Sequence, residues 1–228
     1  MIGRGRLLSG ARSPKIRTVV QVLNRSSNDV HSARVQRKNE ARRLDILRAA
    51  ARVFRRFGLS ATGMREIAAE ADLSPGNLYY YFKGKDEILL FCQERTVDRL
   101  LAEAARASAA AGAYAERLRA LMSAHVHCLL DDLEGTTAHL EVEGLPEHMR
   151  RDIIAKRDAY EHAVRGLVTA GMKRGEFENG DASLVTRAML GAVNWTARWY
   201  RHGGAQSVAE VADGLAEYLV RGLLRAAK

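Results

Sequence analysis

The stretch SPGNLYYYFKGKDEIL, Ser74 to Leu89, places Tyr79, Tyr80 and Tyr81 in a row and follows them within four residues by Lys83 and Lys85. Phenolic hydroxyls donate hydrogen bonds to phosphate oxygens, and their rings stack on sugars or on thymine methyl groups. The two lysines supply cations for a phosphate rim. Asn77 carries the donor–acceptor pair that reads an adenine edge. The chemistry on offer is recognition of a nucleic acid. The competing reading is that one or two of the tyrosines pack on a neighbouring helix, Tyr80 included. All three together would need a face that one short helix does not have.

The elements that must position these residues follow from local signals. Ser74 before Pro75 is a helix cap followed by proline at the first helical position, where its missing N–H costs nothing. Leu78 and Phe82, four apart, form the inner stripe of a helix of about two turns. Upstream, LSATGMREIAAEADLS predicts another short helix with Ile67, Ala68 and Ala71 inside. Gly63 is its N-cap, and Glu66 supplies half of a capping box. Leu44, Leu47, Ala51, Phe54 and Phe57 mark one face of a first helix running from Arg37 to a stop at Gly58. Asp86 and Glu87 open a long fourth helix through Ala107, their charge suiting its positive end. Two short helices joined by EADLS have the spacing of a helix-turn-helix, whose second helix enters the major groove.

The rest of the chain is consistent with an all-α protein. Its 228 residues are 47% hydrophobic and 28% charged, with three prolines and no convincing alternating strand run. Further helices are expected over 114–132, around 136–143, and over 146–175, 181–202 and 207–227. The net charge of +9 is uneven: residues 1–62 hold 15 Lys/Arg against 3 Asp/Glu, leaving −3 on the remainder. One end is built for a polyanion. Residues 1–36 are expected to form a disordered basic arm that adds non-specific affinity for DNA, or to reflect a start placed too far upstream. Their glycines, in GRGRLLSG, follow no strand and make no nucleotide loop. Cys92 and Cys128 lack metal spacing and read as packed thiols of a reduced, cytoplasmic protein. No apolar run is long enough for a membrane span.

The 44 residues from ILRAAARVFRRFG through REIAAEADLS to GNLYYYFKGKDEIL resemble the DNA-binding region of the TetR family of one-component regulators. The resemblance implies a three-helix helix-turn-helix head over 37–85 and a ligand-binding, dimerising body over 86–228. It implies a homodimer acting on a palindromic operator. Carried over by position, Arg65 reaches a base or phosphate, Thr62 offers a phosphate hydroxyl, and Lys85 makes a backbone contact. Ser74, Gly76, Asn77, Tyr79, Tyr80, Tyr81 and Lys83 complete the DNA surface. Gly63 departs from the family, which usually has a hydroxyl-bearing cap there.

The family dimerises through its last two helices. Here Leu184, Ala188, Gly191, Trp195 and Trp199 step down one stripe, and Val211, Leu215, Tyr218 and Leu219 form another. Such stripes bury either inside one subunit or between two. The stretch NWTARWYRHGG, with MKRGEF upstream, resembles the C-terminal halves of TetR-type regulators that sense acyl-CoA thioesters in degradative metabolism. Asn194, Trp195, Arg198, Trp199 and Arg201 are the expected ligand residues, the arginines for CoA phosphates and the tryptophans for acyl chain or adenine. The plainer alternative is an aromatic core plug with solvated arginines.

Other candidates are weaker. His125 and His127, two apart on a helix, point to different sides and share no metal. Glu141 and Glu143 line a pocket or are simply exposed, and Met122, Met149, Met172 and Met189 suit core and pocket equally. No nucleophile–base set marks an enzyme, and neither a cofactor nor a metal is expected. The expectation is a ligand-responsive repressor controlling a degradation pathway. Its rivals are a regulator of efflux or resistance sensing a lipophilic drug or acid, and a ligand-independent architectural DNA-binding protein.

Overall fold

The computed structural model describes residues 14–130 and 145–225. Eight helices occupy them: α1 Pro14–Phe57, α2 Met64–Glu70, α3 Pro75–Tyr81, α4 Lys85–Ala109, α5 Tyr114–Leu130, α6 Glu147–Lys173, α7 Ala182–Trp199 and α8 Val208–Arg221. Among the described residues β structure is limited to one antiparallel bridge, Phe177 to Leu224. The expected helix around 136–143, with Glu141 and Glu143, lies outside the described residues, as do residues 1–13.

The first helix starts at Pro14 rather than near the expected Arg37. Proline is suited to the first helical turn, and no further proline or glycine interrupts the chain before Gly58. The chain divides into two compact units, 1–44 and 45–228.

Within the second unit, α1 ends where Gly58 takes φ +80° and its N–H donates to the Phe54 carbonyl at 2.9 Å. Ile46, Leu47, Ala50, Ala51 and Phe54 bury one face of α1, with Ile67 and Ala68 of α2 also buried. Phe57, expected inside, is exposed; the Arg56 guanidinium lies 5.7 Å from its ring centroid. The half capping box of α2 forms as expected, Gly63 N–H donating to Glu66 Oε2 at 3.0 Å. Asp72 takes φ 52° in the turn that leads to α3. Ser74 Oγ then accepts the Asn77 N–H at 3.2 Å, which starts α3.

In the body, α4 packs on α5 and α6, and α5 on α6, α7 and α8. Both cysteines are buried, and neither forms a disulfide. Arg117 of α5 donates to the Ala107 and Ser108 carbonyls at 2.8 and 2.7 Å, satisfying acceptors that the end of α4 would leave open. Asp181 caps α7 and Ser207 caps α8, the latter in a full box with Glu210.

One contact in the body admits no side chain. A Cβ added at Gly171 on α6 would lie 2.2 Å from the ring of Phe177, itself fully buried. Gly171→Ala is therefore expected to destabilise the protein by about 1–3 kcal/mol through overpacking. Thermal denaturation checks it, and adding Phe177→Leu should restore part of the loss. An unchanged melting temperature in the single variant would show that the ring yields freely.

Candidate nucleic-acid interface and body cavity

Helix α3 has two distinct faces. Leu78 and Phe82 are fully buried, and the Phe82 ring sits 5.6 Å from that of Phe91 on α4, which anchors the helix to the body. On the other side Tyr79 is 46% exposed and Tyr80 68%, while Ser74, Pro75, Gly76 and Asn77 are also exposed. Tyr81 is half-buried, and its ring meets Tyr80 edge-on at 5.0 Å. Arg65 of α2 and Lys83, just past the end of α3, are also exposed. The alternative that Tyr80 packs inward does not describe this structure.

Two expected DNA contacts are placed differently. Thr62 is buried, and its hydroxyl donates to the Gly58 carbonyl at 2.7 Å. It closes the turn after α1 rather than offering a phosphate donor. The Lys85 ammonium donates to the Leu59 carbonyl at 3.0 Å and to that of Thr62 at 3.5 Å. Its charge thus holds the α1–α2 turn to the first residue of α4. Ser74 spends its oxygen on the cap but keeps a hydrogen to donate.

The body contains a cavity of about 120 Å³. Helix α4 contributes Thr96, Val97 and Leu100 to its wall, and α5 contributes His125 and Leu129. Arg157 and Tyr160 of α6 complete it with Leu190 and Asn194 of α7. Tyr160 Oη lies 3.0 Å from His125 Nδ1, and both side chains are buried. Burial raises the Tyr160 pKa far above its ordinary value, so the phenol stays neutral. Arg157 has its pKa lowered by burial, yet an arginine starting so high keeps its charge.

Of the five expected ligand residues only Asn194 lines this cavity. Trp195, Arg198, Trp199 and Arg201 are exposed, and Arg201 donates back to the carbonyls of Arg198 and Tyr200 at 3.2 and 3.0 Å. The core-plug alternative fails as well, since Trp195 is 64% exposed. Sequence reading missed the wall because its residues come from four helices. The spacing of Arg157 and Tyr160, three apart on one helix face, was the available clue.

A second concavity runs along α7 and α8. It has about 400 Å³ of space between Val185, Ala188 and Met189 on one side and Tyr218, Leu219 and Leu223 on the other. Leu184 and Tyr218 are 66% and 69% exposed, and Ala188, Gly191, Trp195 and Trp199 continue the open face. Val211 does not belong to it. That side chain is buried in the subunit's own core, with Leu215 and Leu219 packed partly against the same cluster. The apolar stripe of α8 is wide enough to serve the core along one edge.

A three-helix head presenting a short exposed helix, joined to a helical body with its own cavity, defines a helix-turn-helix DNA-binding regulator. The comparisons narrow the class. Residues 46–91 match the family described as bacterial regulatory proteins, tetR family, and residues 111–223 match the tetracyclin repressor-like C-terminal domain. The solved TetR family regulator PfmR from Thermus thermophilus is 32% identical, with a TM-score of 0.72 over 79% of this chain and 99% of that one. The transcriptional repressor KstR2 of Rhodococcus jostii (strain RHA1) is 26% identical over 185 residues, 80% of this chain and 91% of its own. AibR, solved in complex with isovaleryl coenzyme A and operator DNA, is 26% identical with a TM-score of 0.66, covering 78% and 98%. The chain belongs to the TetR family of transcriptional regulators. Among the described residues no helix is long and apolar enough to cross a membrane.

Proposed function

We propose that the chain is an effector-responsive repressor that binds a palindromic operator as a homodimer and leaves it on binding an acyl-CoA thioester. The observation that carries this reading is the double role of α4. At one end Lys85 holds the α1–α2 turn, and further along Thr96, Val97 and Leu100 wall the cavity. An occupant of the cavity therefore acts on the helix that carries the head. A preference of about 1–3 kcal/mol for one α4 position changes operator affinity roughly 5–150-fold.

In this reading the head, residues 37–85, meets DNA through Arg65, Gly76, Asn77, Lys83 and the three tyrosines. The body, 86–228, pairs with a second copy through the open face of α7 and α8, an isologous contact. Apolar side chains as exposed as Leu184 and Tyr218 are ordinary at such an interface and unusual in a contiguous free patch. The work is that of a cytoplasmic protein at DNA, controlling genes for acyl-group degradation. AibR, seen with both isovaleryl coenzyme A and operator DNA, supports the acyl-CoA effector, and KstR2 supports repression.

The experiment is a thermal-shift panel of acyl-CoA thioesters, their free acids, free CoA and lipophilic cations, followed by band shifts on an operator selected from random duplexes. Stabilisation by a thioester that also releases the operator is the expected result. Stabilisation by lipophilic cations or drug-like acids alone would replace this reading with control of efflux or resistance. Equal binding to all duplexes would make the protein an architectural DNA binder.

A further inference from the structure

We infer that the cavity between α4, α5, α6 and α7 takes a short acyl group, its length limited by Leu100, Leu129 and Leu190 and its carbonyl held by Tyr160. This rests on the acyl-CoA reading and adds the size and the polar contact. An apolar cavity of about 150 Å³ accepts benzene, six carbon atoms. The cavity here, about 120 Å³, therefore suits an occupant of roughly six heavy atoms or fewer. A four- or five-carbon acyl group fits that space, whereas a long fatty-acyl chain or a fused-ring acyl group overfills it.

Leu100 and Leu129 are buried in the core and have little room to move, while half-buried Leu190 on α7 has more room to give way. Dense packing makes such walls resist an added methylene. The polar contact follows from the His125–Tyr160 pair. With the ring proton on Nδ1, His125 donates to the Tyr160 oxygen and leaves the phenol hydrogen for the ligand. A hydrogen bond to a thioester carbonyl uses that hydrogen. Arg157, three residues before Tyr160, is the one formally charged group among the lining residues. It meets the polar pantetheine portion as that portion leaves the cavity.

The test is calorimetric titration of the full-length protein with acetyl-, butyryl-, isovaleryl-, hexanoyl-, octanoyl- and palmitoyl-CoA, with the matching free acids in parallel. Affinity should peak at four or five acyl carbons and fall at least about 10-fold by octanoyl, the scale of one misfitted methylene or more. Leu190→Ala should move the peak to longer chains, and Tyr160→Phe should weaken all chains about 5- to 10-fold without moving it. Circular dichroism melts establish that both variants are folded; should Leu190→Ala fail to fold, Val97→Ala serves the same purpose. Tighter binding of octanoyl or palmitoyl than of isovaleryl in the unmodified protein would overturn the size limit and leave the acyl-CoA reading standing. Binding of short free acids alone would keep the size limit and overturn the thioester. Absence of binding by any of these compounds would overturn both. An unmoved peak in folded Leu190→Ala would remove that residue from the wall, and full affinity in Tyr160→Phe would remove the carbonyl contact.

Discussion

Replacing Tyr79 and Tyr80 together by alanine is expected to lower affinity for a selected operator duplex by about 100-fold or more. Hydrogen bonds to charged partners contribute about 1.5–3 kcal/mol each, and two of them at the lower figure exceed that factor. Both side chains stand well out from the surface, so their removal opens no cavity in the core. Alanine is also the better helix former, which protects a helix of only seven residues. The melting temperature should therefore hold while fluorescence anisotropy on the duplex collapses. Retained affinity at an unchanged melting temperature would remove α3 from the interface. Asn77→Ala is the finer probe, since a base contact relaxes preference at one position of the operator instead of weakening every duplex alike.

The second large effect is expected from Leu184→Asp combined with Tyr218→Asp. Both residues lie on the open face of α7 and α8 and neither is buried in the subunit's own core. Carboxylates there would be desolvated on pairing, at a cost an apolar interface cannot offset. Light scattering should find a monomer. Operator affinity should fall by about 100- to 10,000-fold, because two heads joined in one dimer gain that much over separate heads. A dimer that survives the double substitution would move the interface elsewhere. Val211→Ala is the instructive contrast. Val211 fills the subunit interior, so its truncation should lower the melting temperature and leave the oligomeric state alone.

The head was almost wholly legible in the sequence because its signals are local. Ser74–Pro75, Gly58 and the Leu78–Phe82 pair each act within a turn or two of chain, and the structure honours them. The failures arose where a side chain's partner is distant or internal to a turn. Thr62 carries the hydroxyl expected of a phosphate donor, and only the fold shows it turned to the Gly58 carbonyl. Lys85 looked like one cation among several until the Leu59 carbonyl was placed beside it. In the body, the Trp–Arg cluster of α7 was the loudest feature of the sequence, and it lies exposed rather than at the cavity wall. Helical periodicity gives a stripe but not its partner, so Leu184 and Val211 read alike although one is open and the other buried. The cavity itself was hard to read for the same reason. Each of its helices contributes two or three residues, and apart from Arg157 and Tyr160, three apart on α6, nothing in a single helix distinguishes a cavity wall from packed core.

The Lys85 tether also has a mechanical meaning. At 1.5 Å per residue, Thr96 and Leu100 sit roughly 17 to 23 Å along α4 from Lys85, and a rigid rod of that length tilted by about 5° moves its end by roughly 1.5 to 2 Å. Without the ammonium, such a displacement would be absorbed in the chain around Gly84. With it, the end of α4 would drag the α1–α2 turn along. In the proposed switch α4 is the arm of a lever, and Lys85 is the pin that keeps its motion from being lost as slack.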